Sequence, residues 1–167
     1  LTEDPGDLRC VVLTGAGDRA FCSGGDLRER NGMSTDAWRR QHELFERQHW
    51  TLTDLPLPVI AAVNGHAYAG GFEAMLSCDF VYAVRSARFA LTEVTLGIMP
   101  GAGGTQNLPR AVGERRAKEI ILTGRPFDAA KAHDWGIVNT LADSPAEVRA
   151  MALDTAIRHL KTGNLRK

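Results

Sequence analysis

Short apolar runs that break off into glycine recur along this sequence. Residues 8–14 (LRCVVLT) end in Gly15-Ala16-Gly17-Asp18, and Ala20-Phe21-Cys22 ends in Ser23-Gly24-Gly25-Asp26. Residues 58–63 (PVIAAV) run into 64–71 (NGHAYAGG). Residues 79–84 (DFVYAV), with 88–91 as a continuation, lead to 96–104 (LGIMPGAGG). Brief β-branched runs bounded by turn residues predict buried strands. Loops this rich in glycine let the backbone approach a ligand closely. Helical stretches separate the runs. Residues 35–53 carry Trp38, Phe45 and Leu52 at seven-residue steps beside Leu44, with Arg39, Arg40, Glu43 and Arg47 elsewhere, until Leu55-Pro56-Leu57-Pro58 stops the helix. Residues 72–78, 105–112, 114–122 and 128–134 predict shorter helices, 137–141 a strand and 145–160 a long helix. The alternation places the chain in the α/β class.

With 167 residues, one domain with a real core is expected. Twenty basic residues balance twenty acidic ones, which argues against general binding to nucleic acid or to a membrane surface. Cys10, Cys22 and Cys78 show no metal-ligand spacing, and the five histidines form no ligand motif, so no metal site is expected. A reducing compartment fits three unpaired cysteines. No apolar run reaches bilayer-spanning length. Position 1 is Leu, and a strand-like run begins by Leu8, so a piece of a longer protein is expected.

Several familiar patterns fail. Residues 15–20 (GAGDRA) match G-x-G-x-x-A after a strand, but Phe21-Cys22-Ser23-Gly24-Gly25 is a poor helix start, and a plain turn is the better reading. Residues 101–105 (GAGGT) lack the Lys of a phosphate loop, and no G-x-S-x-G occurs.

Two glycine pairs remain, Gly24-Gly25 and Gly70-Gly71, the second opening a helix. One N–H from each, converging on a point, would stabilise a thioester carbonyl as it becomes enolate-like. Taken alone, each pair reads more readily as a tight turn. Glu73 follows the second pair. Glu93 is flanked by Leu91, Val94 and Leu96, where lost solvation would raise its pKa. Two carboxyls around one water could act as acid and base. Most glutamates are solvated surface residues, and spacing alone does not select these two.

Residues 20–27 (AFCSGGDL), 58–79 (PVIAAVNGHAYAGGFEAMLSCD), 89–113 (FALTEVTLGIMPGAGGTQNLPRAVG) and 122–139 (LTGRPFDAAKAHDWGIVN) together resemble the crotonase superfamily, the enoyl-CoA hydratase/isomerase family. The match runs from about Leu8 to Asn139 in order and in register. The resemblance implies a crotonase-like spiral of short β-strands and α-helices in β-β-α repeats, truncated here at both ends. It implies a core over 1–141 and, over 142–167, the start of a C-terminal helical region.

The resemblance also implies an acyl-CoA thioester as substrate, with coenzyme A part of that substrate and no separate cofactor. It implies a homotrimer or a hexamer, in the cytoplasm or, in a eukaryote, the mitochondrial matrix. Carried over by position, the oxyanion hole would be the N–H groups of Gly25 and Gly70. Gly25 stands where Ala is frequent. Ser23, Gly25 and Leu27 match the stretch whose backbone meets the adenine end of CoA, and Asp26 reads as a cap for the next turn.

Glu73 and Glu93 match the two acids of the hydratases, Glu73 to activate water and Glu93 to supply the α-carbon proton. Keeping both favours a 2-enoyl-CoA hydratase over an isomerase, which commonly keeps only the second. A branched, dicarboxylic or carnitinyl thioester stays open. An RNA-binding role would want a lysine-rich exposed helix, which residues 35–53 lack, and a non-catalytic acyl-CoA binder would not need both acids. Cys22 and Cys78 read as small buried residues, and His66 as structural. Trp38 and Trp50 read as packing, although the helix holding Trp38 could border the acyl site. Arg110, Arg115 and Arg116 read as helix surface.

Overall fold

The computed structural model describes residues 6–159. The chain winds in coils, each laying one strand in each of two sheets before a helix. The first coil is β1 (Val11–Thr14), β2 (Ala20–Cys22), α1 (Leu27–Arg30) and α2 (Thr35–Thr53). The second is β3 (Val59–Val63), β4 (His66–Tyr68) and α3 (Gly70–Leu76). The third is β5 (Phe80–Val84), β6 (Arg88–Ala90), a 3-10 turn (Glu93–Leu96), α4 (Gly104–Val112) and α5 (Glu114–Thr123). After it come β7 (Phe127–Asp128), α6 (Ala129–Asp134), β8 (Thr140–Ala142) and α7 (Pro145–His159). One sheet has the order β1-β3-β5-β8, all parallel; the other is β2-β4-β6-β7, antiparallel only at β6–β7. This is the α/β spiral of β-β-α repeats that the resemblance implies.

Strand β3 shows why the run 58–63 has no polar residue. Ala61 and Val63 face the main core between the sheets, whereas Ile60 and Ala62 face α7 through Val148 and Ala152. Both faces are covered, so the sequence is continuously apolar rather than alternating. In the main core Phe72, Phe89 and Phe127 meet with ring centroids 5.7–5.8 Å apart. Phe72 and Phe89 are fully buried, each worth about 1.5–3 kcal/mol relative to exposure.

Asn64 ties the first two coils together. It is fully buried, accepts the Gly15 N–H at 2.9 Å, and donates to the carbonyls of Gly17 at 2.7 Å and Gly15 at 3.2 Å. The 15–18 segment is therefore a turn whose carbonyls point at a side chain, which leaves no phosphate cradle.

Several boundaries differ from expectation. The first strand begins at Val11, because the chain before it does not join the sheet and Leu8 is exposed. Residues 88–90 do not continue β5. A turn with Ala87 N–H on Val84 O sends them into the second sheet as β6. The 64–71 loop contains β4, whose pairing with β2 and β6 is carried by only three residues.

Ile137 and Val138 are buried but not strand. Their N–H groups cap Ala132 O at the end of α6, and β8 starts at Thr140. Position 141 falls inside β8, and α7 packs against the first sheet. Of the expected 142–167 segment, residues 160–167 lie outside the described residues.

Helix α2 spans 35–53 as the spacing predicts, with Ser34 Oγ accepting the Ala37 N–H as its N-cap. None of its residues is fully buried; Trp38 and Trp50 are exposed, Trp38 stacking on His42 and Trp50 lying tilted against His49 of the same helix, instead of packing inward. No helix among the described residues is long and apolar enough to cross a membrane.

Candidate active site

The second strand of each coil ends on one side of the spiral, and the three glycine-rich loops gather there. At the first loop Gly24 takes φ +86°, and a Cβ on it would lie 3.1 Å from Gly70 N. At the second loop Ala69 takes φ +49°, and its N–H is held by Ala90 O. A Cβ on Gly71 would sit 2.1 Å from Cys22 O, so only glycine lets β2 and α3 meet here.

The two members of each pair thus have separate tasks. Gly24 and Gly71 allow the two loops to touch. The neighbouring Gly25 and Gly70 keep N–H groups that find no acceptor among the described residues.

Glu73 lies one turn into α3, with 3% of its surface exposed. Its Oε1 accepts two backbone N–H groups, from Ala102 and Gly104, each at 2.8 Å. A Cβ on Gly104 would come within 2.9 Å of that oxygen. The third glycine loop, rejected as a phosphate cradle, is therefore a seat for a carboxylate of the protein itself. Behind it, Ser77 Oγ donates to Glu73 O at 3.0 Å and accepts from Asn107 Nδ2 at 3.3 Å. His49 Nδ1 lies 3.4 Å from the same hydroxyl. With the Ser77 proton committed to Glu73 O, His49 Nδ1 carries its own proton and donates.

Glu93 opens the 3-10 turn after β6 and is 7% exposed. Its Oε2 is buried with no hydrogen-bond partner among the described residues. Burial raises its pKa; the Glu73 charge adds to that rise and a backbone hydrogen bond opposes it. Of the flanking apolar residues Leu91 is buried, but Val94 and Leu96 are exposed. The enclosure comes instead from the packing of this turn, which includes α5. Glu73 and Glu93 are thus close enough to feel each other's charge, and both are withdrawn from solvent. A protonated Glu93 could donate, and a seated Glu73 could hold a water and take its proton.

Ser23 and Asp26 are exposed, Leu27 is 56% exposed and Gly25 is half-buried. Asp26 caps α1, its Oδ1 accepting the Arg28 N–H at 2.8 Å. Cys22 is exposed rather than buried, since it ends β2 at the loop; Cys78 is half-buried. His66 is structural: Nδ1 accepts the Arg88 N–H at 3.2 Å. Arg116 lies over the Trp135 ring, 4.3 Å from its centroid, and Arg110 donates to Gln106 O.

Sequence reasoning missed His49, Ser77 and Asn107, which are distant in the chain and match no motif. It also missed Arg30, whose guanidinium rests against Gly25. No group of three or more His, Cys, Asp or Glu that could hold a metal occurs among the described residues.

Residues 1–165 match the family model for enoyl-CoA hydratase/isomerase. The mitochondrial enoyl-CoA hydratase of Pongo abelii is 44% identical over 140 residues, covering 83% of this chain and 47% of that protein. The 1,2-epoxyphenylacetyl-CoA isomerase of Escherichia coli K12 is 40% identical over 159 residues, covering 93% of this chain and 60% of that protein. A crystal structure of an enoyl-CoA hydratase from Bacillus anthracis superposes with a TM-score of 0.91 at 44% identity, covering 98% of this chain and 62% of that one. The chain spans about half the length of the curated relatives it matches. With two sheets wound as β-β-α coils and a family match over nearly its whole length, the chain belongs to the crotonase, or enoyl-CoA hydratase/isomerase, family.

Proposed function

We propose that this protein is an enoyl-CoA hydratase, adding water reversibly and syn across the double bond of a trans-2-enoyl-CoA thioester. The observation that carries the reading is the pair of buried carboxyls, Glu73 seated by two N–H groups and Glu93 with an unpartnered oxygen. The Gly25 and Gly70 N–H groups receive the thioester oxygen and hold its negative charge as the enolate forms. Glu73 takes a proton from the water whose oxygen bonds to the β-carbon. Glu93, whose burial favours the protonated form, gives its proton to the α-carbon on the same face. The two carboxyls then exchange one proton, which returns each to its starting state. Ser23, Gly25 and Leu27 offer backbone to the adenine end of CoA.

The test is loss of the conjugated enoyl-thioester absorbance with crotonyl-CoA, for the wild type beside Glu73→Gln and Glu93→Gln. Each substitution is expected to lower kcat by about 10²–10⁴, the range of general acid–base catalysis. The joint hydratase/isomerase description of the family gives the second outcome its meaning. Double-bond migration that survives Glu73→Gln but not Glu93→Gln would overturn hydration in favour of isomerisation.

A further inference from the structure

Arg30, the last residue of α1, is held in a fixed pose. Its Nε donates to Gln41 Oε1 at 3.0 Å, and its Cζ lies 5.2 Å from the centre of the Phe45 ring. Nη2, Cζ and Nε stand 3.2, 3.3 and 3.4 Å from the point a Cβ on Gly25 would occupy. Standard backbone dimensions then put the guanidinium within about 6 Å of the Gly25 nitrogen. Glycine at position 25, where the family frequently has Ala, opens the space the guanidinium fills.

The charge of Arg30 is unspent. Arg39, Arg85, Arg116, Arg149 and Arg158 each face a carboxylate, but no ion pair among the described residues includes Arg30. Neither Nη nitrogen has an acceptor on the protein among those residues. A guanidinium fixed at Nε and stacked on an aromatic face presents its two Nη groups as a ready fork for a planar anion.

The direction of approach selects the anion. Gln41, Phe45 and His49 follow each other at four-residue steps on α2. The first two hold Arg30, and the third meets the Gly103 loop, 2.5 Å from a Cβ there, beside the N–H groups that seat Glu73. Arg30 and the seat of Glu73 therefore lie under one helix. The acyl chain must run past the carboxyls, and the CoA phosphates, whose adenine end meets the backbone of residues 23–27 in the proposed pose, are the competing anion that the test separates.

We infer that Arg30 is a specificity-determining residue that binds a carboxylate at the far end of the acyl chain. The substrate class is then the mono-CoA thioester of an unsaturated dicarboxylic acid. This rests on the proposed thioester position at Gly25 and Gly70.

The test compares kcat/KM for trans-4-carboxybut-2-enoyl-CoA with that for trans-2-hexenoyl-CoA, a neutral thioester of similar size. In parallel, calorimetry compares binding of the unreactive glutaryl-CoA and hexanoyl-CoA. The expected preference for the carboxylate-bearing member is about tenfold or more in both comparisons, as for a charge-assisted pair. Arg30→Gln is expected to bring both ratios near one, and Arg30→Lys to keep part of them.

A wild-type ratio near one overturns the inference whatever the variants do, and leaves the hydratase reading standing. Equal loss for both thioesters in Arg30→Gln assigns the guanidinium to a CoA phosphate and also overturns it. An Arg30-dependent preference for glutaryl-CoA without turnover of either enoyl thioester supports the inference while removing the hydratase reading.

Discussion

Glu73 and Glu93 are withdrawn from solvent to a similar extent, at 3% and 7% exposure, yet their carboxyls meet different surroundings. Glu73 is answered: two backbone N–H groups converge on one oxygen, and a hydroxyl and an amide brace the turn behind it. Glu93 keeps a buried oxygen that nothing among the described residues satisfies. An unmet buried polar atom costs stability, about 1–3 kcal/mol in typical cases. Folding alone gives no reason to keep it, and a waiting ligand does. The seated carboxyl is fixed by two donors, and burial favours the protonated form of the orphaned one. Two residues of one type meet opposite surroundings, which is what the proposed acid and base would need.

The comparison breaks first at the seat. Gly104→Ala would put a methyl 2.9 Å from Glu73 Oε1 and 3.1 Å from Pro100 Cβ. The carboxylate must move, and kcat is expected to fall by about 100-fold. Overpacking should also cost about 1–3 kcal/mol in denaturant unfolding. Wild-type turnover in a folded Gly104→Ala protein would show that the seat does not matter.

A smaller effect sharpens the contrast at Glu93. Its folded pKa lies above its ordinary value of 4.5. The folded state therefore binds that proton more tightly than the unfolded state does. The resulting stabilisation is complete below 4.5 and is lost as pH rises through the folded value. Glu93→Gln removes this loss. Denaturant melts are expected to show the variant gaining on the wild type from pH 4 to pH 7.5; a constant difference across that range would contradict the assignment.

The smallest effect lies behind Glu73. His49→Ala removes the donor to Ser77 and the ring against Gly103. We expect kcat to drop by less than about tenfold with KM unchanged, because the seat loosens without losing a ligand. Steady-state kinetics decide it, with His49→Gln restoring part of the loss. A change in KM alone would assign His49 to binding.

How much of this was legible in the sequence depended on whether side chains or backbone carry the feature. Strand β3 and helix α2 are written in side chains: an apolar run bounded by Pro and Asn, and a Ser34 cap ahead of a periodic stripe. Strand β4 is not legible as a strand, because His66, Ala67 and Tyr68 carry no strong strand pattern and pairing with β2 and β6 decides the outcome. Ile137 and Val138 were read as strand because apolar character reports burial, not hydrogen-bond pattern. At the site, Glu73 and Glu93 stood out through motifs in register. Their difference did not, since the amides of Ala102 and Gly104 have no signature in residue identity. Arg30 stayed hidden because Gln41 and Phe45 come from the next helix.

The coiled winding has a consequence for how such a site comes into being. Gly25 comes from the first coil, Gly70 and Glu73 from the second, and Glu93, Ala102 and Gly104 from the third. No single stretch of chain contains the site, and no two adjacent coils complete it. During synthesis the candidate site can therefore be complete only when the third coil docks, the same coil that brings Phe89, Leu91, Leu108 and Ile120 into the main core. A chain halted earlier would carry glycine loops and a glutamate with nothing to seat it, folded in part and inert.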